Sequence, residues 1–224
     1  MTGCGGAAKK ENTNVVSVED YETSTFTVGA GEGEVEGLLG NVTQEEIERV
    51  LGNHRNAIMR CYEDAVFDLE EIEGELRFEV EVASDGTVNH AFISDSDLGS
   101  IETESCMLRI IEGFKFNRAP GGVAVINYPF ELEAPYDHPA FADWPQGKID
   151  SVVEAHRAEL SSCLRGVTGV HLTVYIGTGG VVLSAGASAE TLEAYGKAAC
   201  VSQAARSWVF SDPGSNIVKA RIDL

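Results

Sequence analysis

Two histidines each stand seven residues before a cysteine: His54 before Cys61, and His156 before Cys163. A cysteine beside a histidine can act as a nucleophile, and the two residue types also serve as zinc ligands. Both chemistries require the side chains to meet. Seven helical residues are two turns, about 10 Å along the axis, too far for a direct hydrogen bond. A shared metal would need Cys106 or Cys200 and a further group to complete it. The expectation is no catalytic residue, no metal, no cofactor and no enzymatic activity. Each histidine is expected on an apolar stripe near a sheet, satisfied by a neighbouring carbonyl, with Arg55 or Arg157 at the rim.

The remaining candidates are weaker. There is no C-x-x-C motif, and Arg60, Arg109 and Arg165 near the cysteines read as solvated, which disfavours thiol-redox chemistry. Gly121-Gly122 and residues 177–180 lack the Lys-Ser/Thr and the strand-to-helix placement of a phosphate loop, and read as turns. Glu70, Glu71, Glu73, Asp95 and Asp97 lack EF-hand spacing and read as solvated carboxylates.

The elements that carry these residues occur twice. Ile47, Val50, His54, Arg55 and Cys61 return as Ile149, Val152, His156, Arg157 and Cys163, displaced by 102 positions. Val80, Gly86, Val88, Ser94, Leu98, Cys106 and Phe116 return as Val174, Gly180, Val182, Ser188, Leu192, Cys200 and Phe210, displaced by 94. One indel between the first cysteine and the next strand accounts for the difference. Four cysteines allow three pairings, and duplication favours one bridge inside each unit, Cys61 with Cys106 and Cys163 with Cys200. Each bridge would close a loop of roughly 40 residues, worth about 4 kcal/mol, and implies an oxidising compartment.

With 224 residues and 43% hydrophobic content, the chain suits two small domains. Its net charge of −20 argues against nucleic acid and against adsorption to anionic lipid. The charge would attract a cationic partner, although solubility is its plainer role. Cys4 differs from the other cysteines. Thr2-Gly3-Cys4-Gly5-Gly6 looks like the end of a bacterial lipoprotein signal, which makes Cys4 the candidate lipidation site and lipid the only membrane contact. Met1 stands where the apolar part of such a signal would end, so a start upstream is expected. Residues 1–41 are then a lipoprotein-like N-terminus with a Gly-, Glu- and Thr-rich flexible tether. Gly5 after the cysteine points to the periplasmic face of the outer membrane, by analogy with enteric bacteria.

The first unit opens on a helix, with Thr43 and Glu46 as a capping box and Val42 and Ile47 as its hydrophobic staple. Ile47, Val50, Leu51, Ile58, Cys61, Tyr62 and Ala65 form its apolar stripe. Asp143 and Pro145 mark the start of the copy. A strand follows with Leu76, Phe78, Val80 and Val82 on one face, then a turn at Ser84-Asp85-Gly86 and a return strand. Second helices are expected over about 98–113 and 192–207, containing Cys106 and Cys200. A last strand carries Val123, Val125, Phe130 and Leu132, and its copy Ile217, Ile222 and Leu224. Pro129 cannot donate to a ladder and suits an edge strand or a bulge better than a central strand. Each unit reads αββαβ, an α+β fold with two helices on one face of a three-stranded sheet.

Residues 42–133 resemble the AgmX/PglI C-terminal domain of myxobacteria and other gliding or predatory bacteria. The resemblance rests on T-x-x-E-I-x-x-V from Thr43, H-R-x5-C-Y-E around Cys61, S-D-G-T-V from Ser84, Cys106-Met107-Leu108-Arg109, Phe114-Lys115-Phe116 and Tyr128-Pro129-Phe130. That family is in turn similar to the C-terminal domain of TonB, the periplasmic energy transducer. After a linker at 134–145, residues 146–224 form a diverged second copy, with Trp208-Val209-Phe210 replacing F-K-F and no closing Y-P-F. The resemblance implies two tandem TonB C-terminal-like modules that bind an extended segment of an envelope protein by strand addition. It places the contact on the last strand, at Val123, Val125, Asn127, Tyr128, Phe130 and Leu132. Pairing between the two domains would compete for that edge. The alternative is a structural subunit of a motility or trans-envelope complex, and a thiol-redox or metal-binding protein comes after both. A TonB-type transducer carries a motor-coupled transmembrane helix, which this sequence does not show, so energy transduction by this chain alone is not expected.

Overall fold

A computed structural model describes residues 42–118, 122–135, 138–142 and 144–224, and the backbone of three earlier strands. Those strands are β1 (Val15–Ser17), β2 (Thr27–Ala30) and β3 (Glu34–Gly37). The first unit then runs α1 (Gln44–Asp68), β4 (Gly74–Val82), β5 (Val88–Ser96), α2 (Ile101–Glu112) and β6 (Ala124–Leu132). The second runs α3 (Gln146–Ala155), α4 (Arg157–Leu164), β7 (Val170–Ile176), β8 (Val182–Ala189), α5 (Leu192–Tyr195), α6 (Ala198–Ala205) and β9 (Val218–Asp223). In each unit the first strand is central and pairs antiparallel with the other two, giving the orders β6-β4-β5 and β9-β7-β8. Two three-stranded antiparallel sheets with helices on one face agree with the αββαβ reading at the level of element order and pairing.

The apolar stripe of α1 buries Ile47, Val50, Ile58, Cys61 and Tyr62. Beneath it lie Leu76, Phe78, Val80 and Val82 of β4 and Ile126, Tyr128 and Phe130 of β6. Thr43 Oγ1 caps α1 by accepting from the Glu46 amide at 3.3 Å. The second half of the expected capping box does not form. The Glu46 carboxylate instead accepts from Arg49 and from the Asn117 amide, which joins the helix start to the segment after α2. The Tyr62 hydroxyl lies 2.6 Å from the Ile72 carbonyl and 2.9 Å from that of Glu133, tying α1 to the end of the sheet where β4 begins beside the end of β6.

Both cysteine pairs form disulfides, Cys61–Cys106 and Cys163–Cys200, with Cα atoms 5.7 and 5.6 Å apart. They join α1 to α2 and α4 to α6. The copies differ most in their helices, because two expected continuous helices are broken in the second unit. The first break falls at His156, whose φ of −102° and ψ of 11° separate α3 from α4. There the His156 ring stacks on Trp208 at 4.9 Å, and Glu159 accepts from the indole. In the first unit the smaller Phe114 takes that place beside His54, and α1 runs through. The second break, at Gly196-Lys197, separates α5 from α6, where glycine lowers helix propensity. Pro145 precedes α3 without a side-chain cap, and Asp143 lies outside the described residues.

The turn glycines Gly86 and Gly180 are equivalent and constrained twice over. Their φ values are +85° and +75°, and a Cβ would stand 2.1 Å from the Phe116 carbonyl oxygen and 1.9 Å from that of Phe210. The same carbonyl-bearing residues donate their amides to these glycines, at 2.9 and 2.8 Å. Gly86→Ala combines left-handed backbone strain with loss of that contact. It is expected to lower stability by about 2–4 kcal/mol in chemical denaturation, and Gly180→Ala by as much. A loss under about 0.5 kcal/mol would show that the turn relaxes freely.

The two units pack against each other. The face of the second sheet turned away from its helices carries Thr173, Tyr175, Ser184 and Ser188, all buried. They meet the start of α2, the end of β5 and the residues leading into β4. The Tyr175 hydroxyl donates to the Glu73 carbonyl at 2.8 Å, and Ser184 Oγ donates to the Gly99 carbonyl at 2.7 Å. Part of the expected linker joins the packing, since Phe141 lies edge-on to Tyr175 and His138 reaches Glu73 at 3.2 Å.

Candidate functional site

The strand expected to bind a partner, β6, has one edge against β4 over its whole length, from Gly74↔Leu132 to Val82↔Ala124. Its other edge was expected to be free, and it is paired. β2 runs antiparallel along it, with Val28↔Leu132, Gly29↔Glu131 and Ala30↔Phe130. β3 follows, with Glu34↔Asn127, Val35↔Ile126, Glu36↔Val125 and Gly37↔Ala124. β1 extends the sheet beyond β2. The expectation of a flexible tether over residues 1–41 therefore fails for these three strands. An uncovered β6 would present a row of unpaired amides and carbonyls, and the chain's own upstream segment satisfies them.

The two runs opposite β6 are not in one register. Four residues of the upstream segment advance from Ala30 to Glu34 while β6 advances three, so the register slips by one. Pro129, which has no amide hydrogen to give, lies between the residues of β6 that pair with β2 and those that pair with β3. The expectation of an edge strand fails, since β6 lies between β4 on one side and β2 and β3 on the other.

Of the six residues expected to contact a partner, Tyr128, Phe130 and Leu132 point into the core under α1 and are buried. Burial, with Glu48 nearby, pushes the Tyr128 hydroxyl up to about 12. Val125 and Asn127 lie half-buried on the opposite, open face, and Val123 precedes the strand at 36% exposure. Strand addition reads the backbone, so these residues share an edge and not a side-chain surface. The cavity of about 20 Å³ lined by Ile47, Phe78, Phe114 and Tyr128 has space for little more than a water molecule.

Cys61 and Cys163 have their sulfurs in the bridges, so neither is a free thiol beside its histidine. His54 Nδ1 lies 2.8 Å from the Val50 carbonyl, the satisfaction expected of it. His156 departs from that expectation, its Nδ1 standing 3.1 Å from the Glu159 carboxylate. Among the described residues no group of three or more His, Cys, Asp and Glu could hold a metal ion. No helix among them is long and apolar enough to cross a membrane. Cys4 lies outside the described residues.

A second constellation went unread in the sequence. Glu104, fully buried, lies between the units. Its Oε1 accepts from Ser96 Oγ at 2.8 Å and its Oε2 from the Ala187 amide at 3.2 Å. The carboxyl is pushed up to about 7, because desolvation outweighs these donors. Around it, Arg221 pairs with Asp95 at 2.6 Å, Lys219 with Asp97 at 3.2 Å, and Arg206 with Glu102. The carboxylates Asp95 and Asp97, expected to be only solvated, are thus partnered across the seam. The legible sign was Ser184-x-Gly186-x-Ser188, small residues at period two on one face of a strand, which lets another surface approach closely. A Cβ on Gly186 would stand 2.5 Å from both Glu104 oxygens.

Comparisons with protein-family models, with curated proteins and with solved structures found no match.

Proposed function

We propose that this chain is a non-enzymatic protein of the bacterial envelope that holds an extended segment of another envelope protein by strand addition at the outer edge of β6. The observation that carries this reading is the pairing of that edge with β2 and β3, which come from outside the αββαβ unit. A strand edge that takes one foreign segment antiparallel offers the same hydrogen-bonding groups to another. The two disulfides suit an oxidising compartment, and lipidation at Cys4 would hold the protein at the periplasmic face of the outer membrane. The resemblance to the AgmX/PglI and TonB C-terminal domains agrees with this use of the last strand. The second unit is read as a diverged module of the same kind.

Photo-crosslinking in native envelopes tests the proposal, with the reactive group at position 127 of the full chain. The expected product is a crosslink to an extended segment of an envelope protein, lost on Val125→Pro. Crosslinks confined to residues 27–37 of the same chain would refute it. The seam around Glu104 favours a second reading, in which the docked units serve as a structural subunit of a trans-envelope complex. In that case Gly186→Ala should disrupt assembly while leaving the β6 crosslinks unchanged.

A further inference from the structure

Independently of the strand-addition reading, we propose that a proton on Glu104 latches the two units together, and that its loss opens the seam while both units stay folded. Glu104 projects from α2 against the second sheet and is fully buried. β8 is the last strand of that sheet, and the carboxyl occupies one of its backbone donors, the Ala187 amide. Beside it the Ser96 amide crosses the seam to Ser188 Oγ at 3.0 Å. Both hydrogen bonds to the carboxyl, from the Ser96 hydroxyl and the Ala187 amide, come from neutral donors. An ionised Glu104 is therefore held without a counter-charge in contact, the arrangement that burial penalises most.

The surroundings offer no other group to take over its titration. β8 presents Ser184, Gly186, Ala187 and Ser188, and β5 presents Ser96 with Asp95 beside it. α5 presents Tyr195, whose hydroxyl feels the charges of Glu104 and of Glu112 on the same α2 helix. The cations at the rim are engaged elsewhere: Arg221 with Asp95, Lys219 with Asp97 and Arg206 with Glu102. Opening at this seam leaves each unit its own apolar core and its own disulfide. What separates is mostly small and polar, Thr173, Ser184, Gly186 and Ser188 on one side, with Tyr175 and Tyr195 as the large side chains. Such a face gains little from apolar burial, so the state of one buried carboxyl weighs heavily in its balance.

The direction follows from linkage. Burial holds the docked carboxyl at about 7, against 4.5 for the free group. Opening returns it to water, so the docked form binds the proton more tightly. Docking is then strongest below the free value, weakens roughly tenfold per pH unit between the two, and levels off above the docked one.

Amide hydrogen exchange on the full chain tests the latch, read as protection factors so that the intrinsic pH dependence of exchange cancels. The Ser96 and Ala187 amides report the seam, and those of Val80 and Val174, in the central strands, report the two folds. Between about pH 5 and 8 the seam amides are expected to lose roughly a hundredfold of protection while the central amides keep theirs. Glu104→Gln is expected to keep its seam protection throughout. Seam and central amides falling together would overturn the latch, since the whole fold would then be responding. Equal profiles in the unaltered chain and Glu104→Gln would overturn it as well. Ser184→Ala, which removes the bond to the Gly99 carbonyl, provides a second reading that does not depend on the glutamine variant docking. It is expected to lower seam protection roughly fivefold at every pH and to retain the hundredfold dependence. Loss of that dependence in Ser184→Ala would also sink the proposal.

Discussion

Raising the pH from about 4.5 to about 8 is expected to cost the folded chain on the order of 3 kcal/mol that Glu104→Gln does not lose. Glu104 has an ordinary carboxyl value of 4.5 when unfolded and one near 7 when folded. Between these values the folded state binds the extra proton. The stabilisation is therefore complete below the unfolded value and disappears as pH rises through the folded one. The glutamine of this variant mimics the protonated acid, with its amide facing Ser96 Oγ and its carbonyl accepting from the Ala187 amide. Comparing the two proteins by denaturant unfolding cancels the other titrating groups of this acidic chain. Tyr195 across the seam, its hydroxyl raised first by burial and then by the charges of Glu104 and Glu112, titrates above this range. Parallel stability profiles for the two proteins would mean that water reaches Glu104. Gly186→Ala attacks the same seam sterically and is expected to cost about 3 kcal/mol, separating one unfolding transition into two.

Loss of either disulfide is expected to cost about 4 kcal/mol, since the bridges span sequence separations of 45 and 37 residues. The two losses should differ in kind. α1 buries seven residues and remains docked without its bridge, whereas α3 buries only Ile149, and α4 only Leu160 and Cys163. In Cys163→Ser/Cys200→Ser the helical layer of the second unit should therefore open, and amide hydrogen exchange in α3 and α4 should approach unprotected rates. In Cys61→Ser/Cys106→Ser the amides of α1 should keep most of their protection. Equal exchange in the two variants would show that burial, and not the bridge, holds α3 and α4.

Periodicity made much of each unit legible. The stripe from Ile47 to Tyr62, the alternation of Leu76 to Val82, and the recurrence of Cys106 as Cys200 are all local patterns whose meaning does not depend on distant residues. The paired cysteines followed because duplication restricts which partners are equivalent. Helix continuity in the second unit did not follow, since the Trp208 ring that accompanies the break at His156 comes from the far end of the unit.

By itself the sequence determined the αββαβ order, the doubling, and the cysteines that could clamp each copy, because burial periods and repeats are written residue by residue. Tertiary structure alone decided that β2 and β3 close the β6 edge, because backbone hydrogen-bonding groups are the same in every residue and carry no address. It also decided that Ser184, Gly186 and Ser188 meet Glu104, for a docking face made of small side chains signals itself by what it lacks until the opposing surface is in place.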